Sequence, residues 1–146
     1  MILDLSYWAW LGTIYLIILS YQDIKNNMNV DDRKNYFMFG ATFALLSHID
    51  RPLWIILLFF GIIIGLNYYM NKIKVLGEAD NTTLIWIFYG FAIINPAFLA
   101  YFAGFFIIIT LIYAWTKNNV YKVKTAPFYP VLLLTFILTN ILFKLY

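Results

Sequence analysis

Six apolar runs, cut apart by prolines and short polar segments, constrain this chain more than anything else in it. They lie at roughly 5–21, 36–49, 53–70, 81–95, 97–115 and 127–145. A membrane span needs about 20 apolar residues, or somewhat fewer where its ends are sunk or the bilayer thins. Backbone polar groups in lipid must pair within their own segment, so runs of this kind predict helices rather than loops. Pro52, the Asn95-Pro96 pair and Pro127 separate neighbouring runs, because proline cannot continue a helix from the preceding turn. The second and fourth runs are short, and by length alone either suits a re-entrant segment.

Composition narrows the solvent. Of 146 residues, 64% are hydrophobic and 12% charged, whereas soluble domains are about half apolar and about a quarter charged. A water-soluble fold of this size leaves much of its surface wet and has nowhere to bury so much Ile, Leu, Phe and Tyr. The expectation is an all-α membrane protein: one membrane-embedded domain over 1–146, a polytopic bundle of about six transmembrane helices. Asp4 before the first run and Tyr21-Gln22-Asp23 after it do not fit a cleavable signal peptide, so that run is expected to be a retained helix.

Charge distribution orients the bundle. The stretch 22–35 carries Lys25, Arg33 and Lys34; 71–80 carries Lys72 and Lys74; 116–126 carries Lys117, Lys122 and Lys124. These are eight of the ten basic residues, and the alternate loops and termini hold only Arg51 and Lys144. Basic loops stay in the cytoplasm, which predicts both termini outside and a multi-pass protein of the cell membrane. The net charge of +3 then reports topology and gives no reason to expect nucleic acid. Gly61 and Gly65, and Ala100 and Gly104, have the small-xxx-small spacing of close helix contacts, read here as packing within the chain.

Several chemistries are excluded. The chain has no cysteine, hence no disulfide, thiolate metal site or cysteine nucleophile. One histidine, His48, cannot supply a two-His zinc site, and no motif near it suggests a Ser-His-Asp triad. No metal or cofactor is expected. The many Tyr and Trp residues suit a lipid interface. Asn81-Thr82-Thr83 matches a glycosylation acceptor but falls on the cytoplasmic side, where it reads as chance.

The acids remain. Asp4 and Asp50 lie at the outer ends, and Asp31 and Asp32 in a polar stretch beside Arg33 and Lys34, all readable as solvated charge. Asp23 ends the first run, and Asp80, within Gly77-Glu78-Ala79-Asp80, begins the fourth, so both belong to the cytoplasmic face. An ionisable group at the edge of hydrocarbon is a functional candidate by default. Asp80 equally suits a helix start, since Asn81-Thr82-Thr83 and an apolar run follow and the dipole favours an acid there. Two carboxylates brought close share a proton, one serving as base on a water and the other donating to a scissile carbonyl. That division of labour needs neither metal nor nucleophilic side chain.

The motifs around these acids point to a family. Ser20-Tyr21-Gln22-Asp23-Ile24-Lys25, leading to Val30, resembles the first catalytic motif of the type IV prepilin and preflagellin (archaellin) peptidases. Gly77-Glu78-Ala79-Asp80, with Leu84 following, resembles the second, shared with the wider GxGD membrane aspartic proteases. Ala126-Pro127-Phe128-Tyr129-Pro130 is similar to the Pro-Phe-x-Pro element that opens the family's last core helix. Each motif is weak alone; three in order on six runs cover nearly the whole chain. The resemblance implies Asp23 and Asp80 as the catalytic pair, with Gly77, Glu78, Ala79, Pro127, Phe128 and Pro130 in supporting motifs. It implies an endopeptidase that removes the short basic leader of a pilin-like or archaellin precursor at the cytoplasmic face. Gly77 is expected to let backbone approach the substrate, and Glu78, Asp31 and Asp32 to attract the leader.

Three departures stand out. Ala79 replaces the second Gly of GxGD, as is common in archaeal members, and Thr82 stands where many relatives carry Lys. The large cysteine-bearing segment of many bacterial members, which also methylate the new N-terminus, is missing. The alternative from another class is a small ion- or proton-coupled transporter or channel subunit using Asp23 and Asp80, which predicts acids deep within the spans. A non-catalytic assembly factor is a further reading. The presenilin and signal-peptide-peptidase type has more spans and a Pro-Ala-Leu element that this chain lacks.

Overall fold

The structure, a computed structural model, describes residues 2–25, 33–46, 52–73, 78–116 and 128–146, with backbone alone at 2–4, 33, 34, 73, 78 and 79. Among the described residues six helices follow in order: α1 (Ile2–Lys25), α2 (Arg33–Leu46), α3 (Leu53–Ile73), α4 (Glu78–Ile94), α5 (Pro96–Thr116) and α6 (Phe128–Leu142). They coincide with the six apolar runs. The two short runs form helices of 14 and 17 residues, α2 and α4.

Local chemistry sets the boundaries. Asn95 closes α4 by donating its N–H to Phe91 O at 2.9 Å, then caps α5, its Oδ1 accepting the Ala97 N–H at 3.0 Å. Pro96 is the first residue of α5, where its missing N–H costs nothing. Before α3, the Pro52 carbonyl accepts the N–H of Ile55 at 2.9 Å. The end of α6 is a Schellman motif: Leu145 N–H to Asn140 O at 2.9 Å, Lys144 N–H to Ile141 O at 3.1 Å, and Lys144 left-handed at φ 52°. Lysine is a poor occupant of that conformation. Lys144→Gly should stabilise the protein by up to about 1 kcal/mol, read as a higher melting temperature in detergent; an unchanged or lower one contradicts this.

The helices pack around α4. It contacts α2, α3 and α5, while α1 lies against α2 and α6, and α6 against α5. From Asn81 to Ile93 every residue of α4 is buried except Phe88, which is half-buried. The core is aromatic: Trp8 meets Phe91 and Phe136 edge to face at centroid distances of 5.2 and 5.3 Å, and Trp86 meets Phe136 at 5.7 Å. Such pairs contribute about 0.5–1.5 kcal/mol each beyond area burial. Trp8 reaches α4 because Gly90 has no side chain; a Cβ there overlaps the Trp8 indole. The indole Nε1–H donates to Thr42 Oγ1 at 3.1 Å, tying α1 to α2 inside the core.

Among the described residues two helices, α3 over Leu53–Lys72 and α5, are long and apolar enough to cross a membrane. Only 11% and 6% of their most apolar stretches are buried, so neither is the enclosed core helix of a soluble fold. Their outer faces expose Trp54, Leu57, Leu58, Ile107, Leu111 and Trp115. The expected packing of the small-residue pairs within the chain is corrected here. A Cβ on Gly61, Gly65 or Gly104 meets nothing within 4 Å. Gly61, Gly65 and Ala100 are exposed, because α3 and α5 turn other faces to α4 and α6.

Candidate functional site

Among the buried polar side chains of the bundle, Ser20, Asp23, Asn35, Asn81, Thr82 and Thr83 lie at the end where α1 and α3 finish and α2, α4 and α6 begin, while Thr13, Thr42, Thr135, Thr139 and Asn140 lie farther along the helices. Asp23 occupies the last turn of α1 and is 3% exposed. Its Oδ2 accepts the backbone N–H of Tyr129 at 3.2 Å. Tyr129 is the second residue of α6, and the first N–H groups of any helix have no partner within it. A carboxylate from the first helix therefore satisfies an orphan donor of the sixth. Pro130 follows and contributes no N–H at all, so the first turn of α6 asks for fewer acceptors.

Asp80 lies in the first turn of α4, half-buried. Three residues on, Thr83 shares its helix face and is fully buried. Thr83 Oγ1 is hydrogen-bonded to the Tyr129 hydroxyl at 3.2 Å. The Asn35 side chain and the charges of both Asp80 and Asp23 also act on this hydroxyl. Asn35 is fully buried at the start of α2 and accepts the Tyr15 hydroxyl of α1 at 3.1 Å. Tyr129 is thus the residue around which the two acids are disposed, one at its backbone and both within electrostatic reach of its phenol. A second link ties α3 to α4: Asn81 Nδ2 donates to Asn71 Oδ1 at 2.6 Å, and Asn71 Nδ2 to Asn67 Oδ1 at 3.3 Å.

A partly enclosed cavity of about 190 Å³ adjoins this end, lined by Tyr36, Phe39, Ile64, Asn67, Thr82 and Ile85. Through Phe39 it joins a more open apolar groove of about 350 Å³ between α2 and α3, with Gly40, Phe43, Leu57 and Phe60 on its walls. Thr82 faces this cavity and leaves its wall uncharged. Phe128 packs at the start of α6 against Phe106 of α5, ring centroids 5.8 Å apart.

Not every expected residue can be followed. Gly77, Pro127, Asp31, Asp32, His48, Asp50 and Arg51 lie outside the described residues, as do the side chains of Asp4, Glu78 and Ala79. Among the described residues, no three His, Cys, Asp or Glu are grouped to hold a metal ion. Asn81 of the glycosylation-like triplet is fully buried, out of reach of any glycan. Sequence reasoning passed over Tyr129, Asn35, Thr83 and Tyr15. Tyr129 was within reach, since it fills the variable position of the Pro-Phe-x-Pro element. Asn35, a polar residue just before an apolar run, offered only a faint signal. In comparisons with known proteins, no protein-family model, no curated protein and no solved structure matches this chain.

Proposed function

We propose that the chain is a multi-pass membrane aspartic endopeptidase of the prepilin and preflagellin peptidase type, with Asp23 and Asp80 as its catalytic pair. The single observation that carries the reading is the disposition of these two acids about Tyr129, from positions 57 apart in sequence, at one end of the bundle. Apolar exposure on α3 and α5 supports immersion in lipid. The six helices and the basic stretches 22–35, 71–80 and 116–126 support six spans, both termini outside and a cytoplasmic active end.

In this reading one carboxylate takes a proton from a water held between the pair. The water oxygen attacks the scissile carbonyl, and the second carboxyl donates a proton to the carbonyl oxygen. On collapse the C–N bond breaks, the protonated carboxyl gives its proton to the leaving amine and the other carboxylate takes one from a hydroxyl of the tetrahedral intermediate, so the pair again shares one proton. The substrate is a pilin-like or archaellin precursor. Its basic leader reaches the cytoplasmic face, and its apolar segment lies against the bundle beside the α2–α3 seam. A transporter would need acids deep along its helices, whereas Asp23 and Asp80 lie in terminal turns at the same end.

The test is co-expression with a panel of pilin-like and archaellin precursors, followed by gel shift and N-terminal sequencing of the product. The reading expects a single cut just before the apolar segment. Intact precursors throughout the panel, with the enzyme correctly inserted, would count against it.

A further inference from the structure

We infer that Tyr129 is a positioning residue that holds the two aspartates in register, its backbone gripping Asp23 and its hydroxyl gripping the helix that carries Asp80. The inference rests on the endopeptidase reading and names a residue that reading does not require.

Three observations carry it. The Tyr129 N–H donates to Asp23 Oδ2 at 3.2 Å, fixing one acid to the start of α6. The Tyr129 hydroxyl meets Thr83 Oγ1 at 3.2 Å, on the face of α4 that Asp80 occupies one turn earlier. Asn35, itself held by Tyr15 of α1, lies within electrostatic reach of the same hydroxyl. Tyr129 is 1% exposed and Thr83 and Asn35 fully buried, so water does not compete for these bonds. Tyr129 joins α1 to α4 through a third helix at the end where both acids lie. A pair sharing one proton is sensitive to small changes in separation, because its coupling rises steeply with proximity. A rigid aromatic strut between the acid-bearing helices sets that separation. Phenylalanine keeps the ring and the backbone N–H but removes the tie to α4.

The experiment uses the full chain in membranes, the precursor panel above, and the variants Tyr129→Phe, Thr83→Val and Thr83→Ser, with Asp23→Asn and Asp80→Asn as controls. Tyr129→Phe and Thr83→Val should each lower kcat roughly tenfold with KM changed by less than about twofold, the pattern of a lost transition-state interaction. Each should also move a limb of the pH–rate profile by at least about half a pH unit, because the pair titrates as a unit. The double variant should be little worse than either single one, as both remove one bond. Thr83→Ser, which keeps the hydroxyl, should restore both rate and profile. If Tyr129→Phe fails to insert, Thr83→Val and its Ser rescue carry the same test. A wild-type kcat and pH profile in Tyr129→Phe or Thr83→Val, with both Asn controls inactive, overturns the positioning role and leaves the endopeptidase standing. Cleavage by the Asn controls, or none by the unaltered protein, removes the endopeptidase and this role with it.

Discussion

Cleavage of a pilin-like precursor should fall by at least about 10⁴-fold when Asp23 or Asp80 is replaced by asparagine, and the double replacement should be no worse than either alone. The substitution is chosen for Asp23 in particular. That side chain has a structural use, because it accepts a first-turn N–H of α6. Asparagine retains a carbonyl oxygen of the same reach and keeps that bond, while it loses the capacity to exchange a proton at neutral pH. Alanine, by contrast, removes the bond as well and should cost about 1 kcal/mol of stability besides. Comparing Asn with Ala at position 23 therefore separates anchoring of α6 from chemistry. Gel shift of the precursor measures activity, and recovery in the membrane fraction with an unchanged melting temperature shows that the Asn variants are intact. Normal processing by both Asn variants would leave Asp23 as a capping residue and Asp80 as an ordinary helix-start acid.

Gly90→Ala should be the most damaging small substitution in the chain, costing about 1–3 kcal/mol through overpacking. The added methyl falls on the Trp8 indole, a fully buried ring. Trp8 cannot swing aside freely: its Nε1–H is bound to Thr42, and Phe91 and Phe136 sit at its faces and edges. The loss should spread to the contacts among α1, α2, α4 and α6 that meet at this ring. Gly61→Ala, Gly65→Ala and Gly104→Ala are the controls. Their new methyls meet nothing within 4 Å, and alanine is the better helix former by up to about 1 kcal/mol. Melting of the detergent-solubilised proteins should drop for Gly90→Ala alone. A neutral Gly90→Ala, or losses at Gly61 or Gly65 equal to it, would contradict the packing described here.

Helix number and boundaries were legible because they are written in local chemistry. Proline and asparagine interrupt the runs, and Asn95-Pro96 both ends α4 and starts α5 with its own side chain. Which faces meet was not legible. In a soluble helix the apolar stripe marks the core face, but α3 and α5 are apolar all round, and lipid is as apolar as a neighbouring helix. The Gly61/Gly65 and Ala100/Gly104 pairs were misassigned for that reason: spacing reveals a surface that permits close approach and says nothing of what approaches it. Asp23 and Asp80 stood out from Asp4 and Asp50, which also flank apolar runs, because each lies in a motif that resembles a known one. The polar residues around them did not. Asn35 and Thr83 are common at helix starts, and Tyr129 reads as one of 12 tyrosines suited to an interface. Their meeting depends on α6 returning to α1 across 106 positions, a contact that no local pattern encodes.

That long return has a consequence for biosynthesis. A ribosome adding roughly 5–20 residues per second makes Tyr129 about 5–20 s after Asp23, given the 106 positions between them. Throughout that interval the acid at the foot of α1 is without the amide it finally binds. A nascent chain released before α6 emerges leaves Asp23 with its eventual amide donor never made.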